Sequence, residues 1–520
     1  MPAARPLRIA HKARPYILAA CLFAWSSAGA ADAAGAPGAE ASVVQVFAYV
    51  VPPNPTRPWT RQTGRELTGS GVVIGGNRIL TNAHVVSYAS RVQIQGSGDG
   101  SKATAEVEFS APGIDLAVLR IDDPEFFRRH PPLLRSDAKP AIKDGVSVYG
   151  YPRGGSSLSI TQGIVSRIEY AGYQYPVSGL RMQIDAAVNP GNSGGPVVAG
   201  DRMIGIARST LTNSQNINYV IPNEEIEIFL ADIEDGSYDG KPMLYDELEP
   251  FESPVLRDYL KLPASAHGAL VRRPNTSLPA NPLREWDLIT HIGNARIDDQ
   301  GMVAAEGGLR LRFAYMIQKL GQRDAVPLTV LRDGKEFQLR MPLSTDRRRL
   351  IADLAGTQPP YFIYGPVAFS TLSAQFVSEL ARVNPPAGTP GVLDTLTQSG
   401  SPLATLRAAF ATPEREELVF IPSPYFPHPL TTGYRNSSLS VVDSLNGKPV
   451  RSLAHLVELL RDLDDEHAIV RFQPANVPAL VLPRTQMQQA TEKVLQENAI
   501  RDFASPELMR IWQAKPMPAD

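Results

Sequence analysis

From residue 43 onward the chain runs in short alternating stretches of apolar and polar positions. SVVQVFAYVV (42–51) is β-branched and alternating, the pattern of a half-buried strand. GSGVVIGGNRILTNAHVV (69–86) holds two apolar runs joined by GGN, which predicts a hairpin leading to His84. RVQIQ, TAEVEFS, IDLAVLRID, GVSVYGYP, LSITQGIVSRIEY, LRMQID, GGPVVAGDRMIGIARS and INYVIP continue the pattern at short spacing. Frequent short strands separated by turns predict an all-β barrel or sandwich over 43–232.

Beyond 240 the texture changes. LRFAYMIQKLG (311–321) is helical in pattern, and AVPLTVLRDGKEFQLRMPL (325–343) is a hairpin about an Asp-Gly turn. SLSVVDSLNGKPVRSLAHLVELLRDL (438–463) repeats the theme as a strand, an Asn-Gly turn and an amphipathic helix, with HAIVRF and ALVLP after it. The two regions share a strand, an NG or NA turn and a helix, the mark of a diverged repeat. Residues 381–435 are long and Pro-rich and fit no element. From 486 the chain reads as helical through QMQQATEKVLQENAI and SPELMRIWQ, a tail suited to capping the preceding module or to assembly. DRRR (346–349) reads as a solvated linker.

At 520 residues the chain is too long for one core, so three or four domains are expected. A net charge of −2 with no basic run gives no reason to expect nucleic acid as a partner. The first 30 residues have the form of an export signal. Arg5, Arg8, Lys12 and Arg14 precede the apolar YILAACLFAW, and Ala28 and Ala30 stand at A-x-A spacing. That run falls short of the ~20 apolar residues that span a bilayer, so no stable membrane span is expected. The alternatives are a retained membrane anchor, or a lipid anchor at Cys21 in LAAC. Cys21 is the single cysteine, so cleavage after Ala30 leaves no thiol for disulfides or catalysis.

NPGNSGGP (189–196) sets Ser193 among glycines, where burial has little side chain to act on. A tight glycine turn can aim backbone N–H groups into one concavity, which suits a developing negative charge. A serine hydroxyl becomes a nucleophile when an imidazole takes its proton, and a buried carboxylate orients that imidazole. His84 ends a strand in LTNAHVV and Asp115 opens DLAVL, giving the chain order His, Asp, Ser. The oxyanion donors expected are the N–H groups of Gly191 and Ser193. His267, His291, His428, His455 and His467 are scattered without metal-ligand spacing, so neither metal nor cofactor is expected.

TNAHVV, DLAVL and GNSGGP together resemble the three signature blocks of trypsin-fold serine proteases of the Deg/HtrA family. QIDAAVNPGNSGGP with the later YVIP is similar to the branch that includes plant Deg proteases with two PDZ modules. The resemblance runs from about 43 to near 500. It implies a mainly β fold: a trypsin-like double β-barrel protease domain (43–235), PDZ-like modules at 245–345 and 359–485, and a helical tail (486–520). It also implies an ATP-independent endopeptidase acting on unfolded or damaged proteins, periplasmic or otherwise exported, as a homo-oligomer built from trimers. A peptide-binding chaperone or scaffold and a dedicated processing protease are the alternatives. The position before the nucleophile is Asn192, which has no charge to pair with a newly cut N-terminus, so control is expected from loops or assembly. Ala187, six residues before Ser193, offers no anchor for a basic substrate side chain. Thr210 and Ile217 are carried over as walls of a small apolar pocket. The PDZ carboxylate-binding loop is expected at YLKL (259–262), where Lys261 replaces the usual glycine. PPYFIYGPVAF (359–369) resembles the start of the second PDZ module.

Overall fold

The computed structural model describes residues 38–514, except 174–176, 209–217, 279, 321–324, 346–347, 384–388 and 436. Twelve strands close into two six-stranded antiparallel barrels. The first joins β1 (Val43–Val50), β2 (Arg65–Ile74), β3 (Arg78–Thr81), β4 (Ala89–Gly96), β5 (Ala103–Ala111) and β6 (Leu116–Arg120) in the order β1-β2-β3-β6-β5-β4. The second joins β7 (Gly145–Gly150), β8 (Ser159–Gly172), β9 (Ser178–Ile184), β10 (Pro196–Ala199), β11 (Arg202–Arg208) and β12 (Asn218–Pro222) in the order β10-β11-β12-β9-β8-β7. The GGN hairpin forms because Gly76 and Asn77 accept positive φ, 81° and 55°.

Alternation explains where the strands bury their side chains. Val44, Val46 and Ala48 of β1 fill the first barrel with Val73, Ile79, Ala117 and Leu119. The neighbouring Val72, Ile74, Leu80, Leu116 and Val118 point the other way and meet Val198, Met203, Ile206 and Ile221 of the second barrel. Both faces of β2, β3 and β6 are therefore buried, so their apolar runs are continuous where a half-exposed strand would alternate. The helix Asn223–Asp232 seals this seam with Ile226 and Phe229.

The first module after the barrels is an antiparallel sheet of Glu247–Pro250, Ala269–Arg273, Leu288–Ile292, Ala325–Arg332 and Lys335–Pro342 in that spatial order. The Asp-Gly hairpin is tight, with Arg332 opposite Lys335 and positive φ at Asp333 and Gly334. The helix expected over 311–321 is shorter, Tyr315–Leu320, because Arg310–Arg312 pairs as a strand with Met302–Ala304. YLKL runs from the last residue of the helix Pro254–Tyr259, with Lys261 at φ 54°, into the segment before the strand Ala269–Arg273.

The second module pairs Tyr361–Tyr364, Val367–Thr371, Val419–Phe420, Val441–Leu445, His467–Gln473 and Leu480–Pro483, and packs them on the helix Leu453–Arg461. The segment 381–435, unassigned from sequence, contributes the helices Val392–Gln398 and Pro402–Thr405 and the central strand Val419–Phe420. The two tail helices, Arg484–Glu497 and Pro506–Gln513, place Met487 and Leu508 in the module's core. Arg349 of the expected solvated linker lies instead over the Phe410 ring at 4.7 Å, with Nη1 donating to the Arg407 carbonyl at 3.4 Å.

Candidate active site

The seam between the barrels brings together residues far apart in sequence. β3 is followed by Asn82, whose extended backbone opens the single helical turn Ala83–Val86 carrying His84. Asp115 sits just before β6 at φ 61°, an uncommon conformation for a side-chain-bearing residue. The buried Asn82 amide donates to the Asp115 carbonyl at 2.9 Å and so holds that turn. His84 Nδ1 lies 2.9 Å from Oδ1 and 2.8 Å from Oδ2 of Asp115, and the His84 backbone N–H donates to Oδ1 at 3.0 Å. With Nδ1 facing a carboxylate, Nε2 is left as the proton acceptor.

Burial acts to raise the Asp115 carboxyl. The hydrogen bond and charge of His84, together with Arg208, outweigh it and hold the group below its ordinary value. Arg208 Nε donates to Oδ2 at 2.8 Å.

Ser193 lies in the loop between β9 and β10 and is buried. The Asn192 N–H closes the loop on the Asn189 carbonyl at 2.9 Å. Glycine is required on both sides. A Cβ on Gly191 (φ 105°) would stand 2.4 Å from the Arg153 nitrogen, and one on Gly194 (φ 86°) 2.2 Å from the Ser70 carbonyl oxygen. The loop is tied to the first barrel by the Ser70 N–H, which donates to the Ser193 carbonyl at 2.9 Å. It is tied to the second by the Gly194 N–H, which donates to Ala207 at 2.9 Å. The Ser70 hydroxyl donates to the Gly191 carbonyl at 2.8 Å and accepts the Tyr151 N–H at 2.8 Å.

Two stretches match known domain families: residues 69–206 the trypsin-like peptidase domain, and residues 352–507 the PDZ domain. Protease Do-like 2, chloroplastic, of Arabidopsis thaliana is 32% identical over 474 residues, covering 90% of this chain and 75% of the relative. The chain belongs to the Do-like, or Deg/HtrA, serine protease family. Protease Do-like 4, mitochondrial, of Arabidopsis thaliana is 32% identical over 464 residues, covering 88% and 84%. A solved HtrA-type protease, AlgW with decapeptide, is 26% identical and covers 59% of this chain and 96% of its own, with a TM-score of 0.45.

As a Do-like protease the chain is a serine endopeptidase. Of the residues singled out from sequence, the structure brings His84 and Asp115 into direct contact and sets the Ser193 loop against the Thr81–Asn82 end of the same β3. Ala187 is exposed, and its carbonyl accepts the Thr161 hydroxyl at 2.7 Å. Thr210 and Ile217 lie outside the described residues. The Asn192 side chain is fully buried and meets no hydrogen-bond partner among the described residues. Two residues escaped the sequence reading. Ser70 was hidden between the glycines of GSG, and Arg208 was signalled only by a charge ending the apolar strand MIGIA.

Proposed function

We propose that this Do-like protease is an exported, ATP-independent endopeptidase that degrades unfolded or damaged proteins. In this reading Ser193 Oγ attacks the scissile carbonyl carbon while His84 Nε2 takes its proton. The carbonyl π electrons move onto oxygen, and the Gly191 and Ser193 N–H groups receive that oxyanion. Collapse breaks the C–N bond as the imidazolium returns the proton to the leaving amine, and water hydrolyses the acyl-enzyme by the same route in reverse. The observation that carries the reading is the paired contact of His84 Nδ1 and its backbone N–H with the buried Asp115 carboxylate, beside the Ser193 loop. Cleavage of denatured casein by the wild type and not by Ser193→Ala supports it; residual cleavage above ~1% of wild type sinks it, since loss of a nucleophile leaves far less. A chaperone or scaffold would bind casein in both proteins and cut it in neither.

With Ala187 and no acid at that position, cleavage is expected after small or medium apolar residues. A majority of casein cuts after Lys or Arg, mapped by mass spectrometry, would refute this. The modules at 245–345 and 359–485, with the tail 486–520, are assigned to substrate engagement or assembly into a trimer-based homo-oligomer, which light scattering tests. Export rests on residues 1–30, whereas the Arabidopsis relatives are named chloroplastic and mitochondrial. A mature N-terminus at Ala31 supports it, and an uncut chain does not. Among the described residues no helix is long and apolar enough to cross a membrane.

A further inference from the structure

The last residue of β11, Arg208, belongs to none of the three sequence blocks, yet it touches the carboxylate at their centre. Its Nε lies 2.8 Å from Asp115 Oδ2, and its side chain is 24% exposed. The guanidinium stands over the Tyr173 ring at 5.8 Å, and the Tyr173 hydroxyl donates to the Leu180 carbonyl at 2.5 Å. The backbone of Arg208 is fixed by pairing with Tyr219 of β12. The Asp115 carboxylate is consequently held at both oxygens: Oδ1 by the His84 N–H and Nδ1, Oδ2 by Nδ1 and Arg208.

We infer that Arg208 is a positioning residue for peptide hydrolysis, acting through Asp115 to set the rotation of the carboxylate under His84. The inference rests on the roles proposed above for His84, Asp115 and Ser193. Held by His84 alone, through its backbone N–H and imidazole, the carboxylate keeps some freedom to turn about its Cβ–Cγ bond. A second donor anchored in another barrel removes that freedom before substrate arrives, and small misplacements of a reacting group are expensive in rate. The same contact couples the two halves of the site, since Asp115 comes from the first barrel and Arg208 from the second. The guanidinium also keeps a permanent positive charge beside the carboxylate. Among the described residues, the charged or titratable groups facing Asp115 are His84 from the turn after β3 and Arg208 from β11, with Tyr173 beyond Arg208. Arg208 and His84 both hold the Asp115 carboxyl down, so removing the guanidinium takes away one of the charges that do so.

The test compares full-length wild type, Arg208→Met, Arg208→Gln and Arg208→Lys on a fluorogenic peptide ending in an apolar residue, with pH profiles and a folding check by circular dichroism. Arg208→Met is expected to lose ~10–100-fold in kcat with little change in KM. Its acid limb of kcat/KM should move to higher pH. Arg208→Lys, which keeps the charge, should hold the wild-type acid limb while recovering only part of kcat. Arg208→Gln should show the shifted limb. If Arg208→Met does not fold, the Lys and Gln profiles decide alone, and coincident profiles overturn the inference. Wild-type kcat in folded Arg208→Met, or a faster enzyme, also overturns it. An active Ser193→Ala protein would instead overturn the underlying triad, and so separates the two failures.

Discussion

Two regions of this Do-like protease bury a carboxylate against a basic side chain, and they differ in what they leave open. At the barrel seam Asp115 is buried, with 6% of its side chain exposed, while its partner His84 is 48% exposed. At the junction between the second barrel and the first module, Lys241 and Glu225 are 4% and 0% exposed and lie 2.6 Å apart. Glu225 also accepts the Leu180 N–H at 2.7 Å, and Lys241 donates to the Gln318 amide oxygen at 2.7 Å. Gln318 belongs to the module's helix Tyr315–Leu320, and its own amide donates to Glu224 at 2.9 Å and Glu225 at 3.2 Å. Around this polar centre, Leu311 and Tyr315 of the module are buried in the apolar cluster of the second barrel. Burial tends to raise Glu224, but Gln318, Lys319 and Lys139 hold it below its ordinary value. The same ingredients serve two ends. A carboxylate paired with an imidazole open to solvent can serve proton exchange, whereas an ion pair closed on every side joins two bodies.

Breaking the seam should give the largest effect. Asp115→Asn is expected to lower kcat by about 10³–10⁴-fold, because the imidazole loses both its tautomer and its orientation. A steady-state assay on a short peptide measures this. The same variant reports on stability. The folded Asp115 carboxyl titrates below its unfolded value, so its charge contributes stability above about pH 4 and loses it as pH falls. The gap in unfolding midpoint between wild type and Asp115→Asn should therefore narrow in acid, and a gap that widens would contradict the pairing.

Breaking the junction should spare the chemistry and cost the fold. Lys241→Met leaves Glu225 buried without its cation, at a cost of ~3–5 kcal/mol in denaturant unfolding, and Lys241→Met with Glu225→Gln should recover part of it. The hydrogen bonds of Lys241 and Glu225 run to Ser178, Leu180 and Gln318 and not to His84 or Asp115, so cleavage per folded molecule should hold. The smallest effect is expected at Ser70→Ala, which removes the hydroxyl serving Gly191 and Tyr151. Two backbone groups buried at the seam then lose a partner, for about 1–3 kcal/mol. Because one of them positions the Ser193 loop, kcat should fall more than KM rises. An unchanged kcat would mean that the loop stands without the Ser70 hydroxyl.

Alternation, or continuous apolar runs where both faces are buried, made the barrel strands legible, since buried faces must be apolar whatever lies opposite them. The glycines of NPGNSGGP announced a loop that no side chain could occupy, and the close approach of Arg153, Tyr151 and Ser70 confirms the reason. The Asp-Gly turn at 333–334 and the Asn-Gly turn at 446–447 were likewise written locally, as residues that accept positive φ. Other features depended on distance. Arg208 meets Asp115 across 93 residues, and Gln318 meets Glu224 across 94. The helix expected over 311–321 gave up its first turn to a strand partner at Met302–Ala304. The strand Val419–Phe420 has only two residues, too few for any period, and exists because Val367–Thr371 and Val441–Leu445 flank it. By itself the sequence determined which residues must be buried, where the chain must turn, and that a serine, a histidine and an aspartate were present in the order a protease uses. The tertiary structure alone decided which charge meets which, because an ion pair carries no local period and forms only where folding brings its two halves within reach.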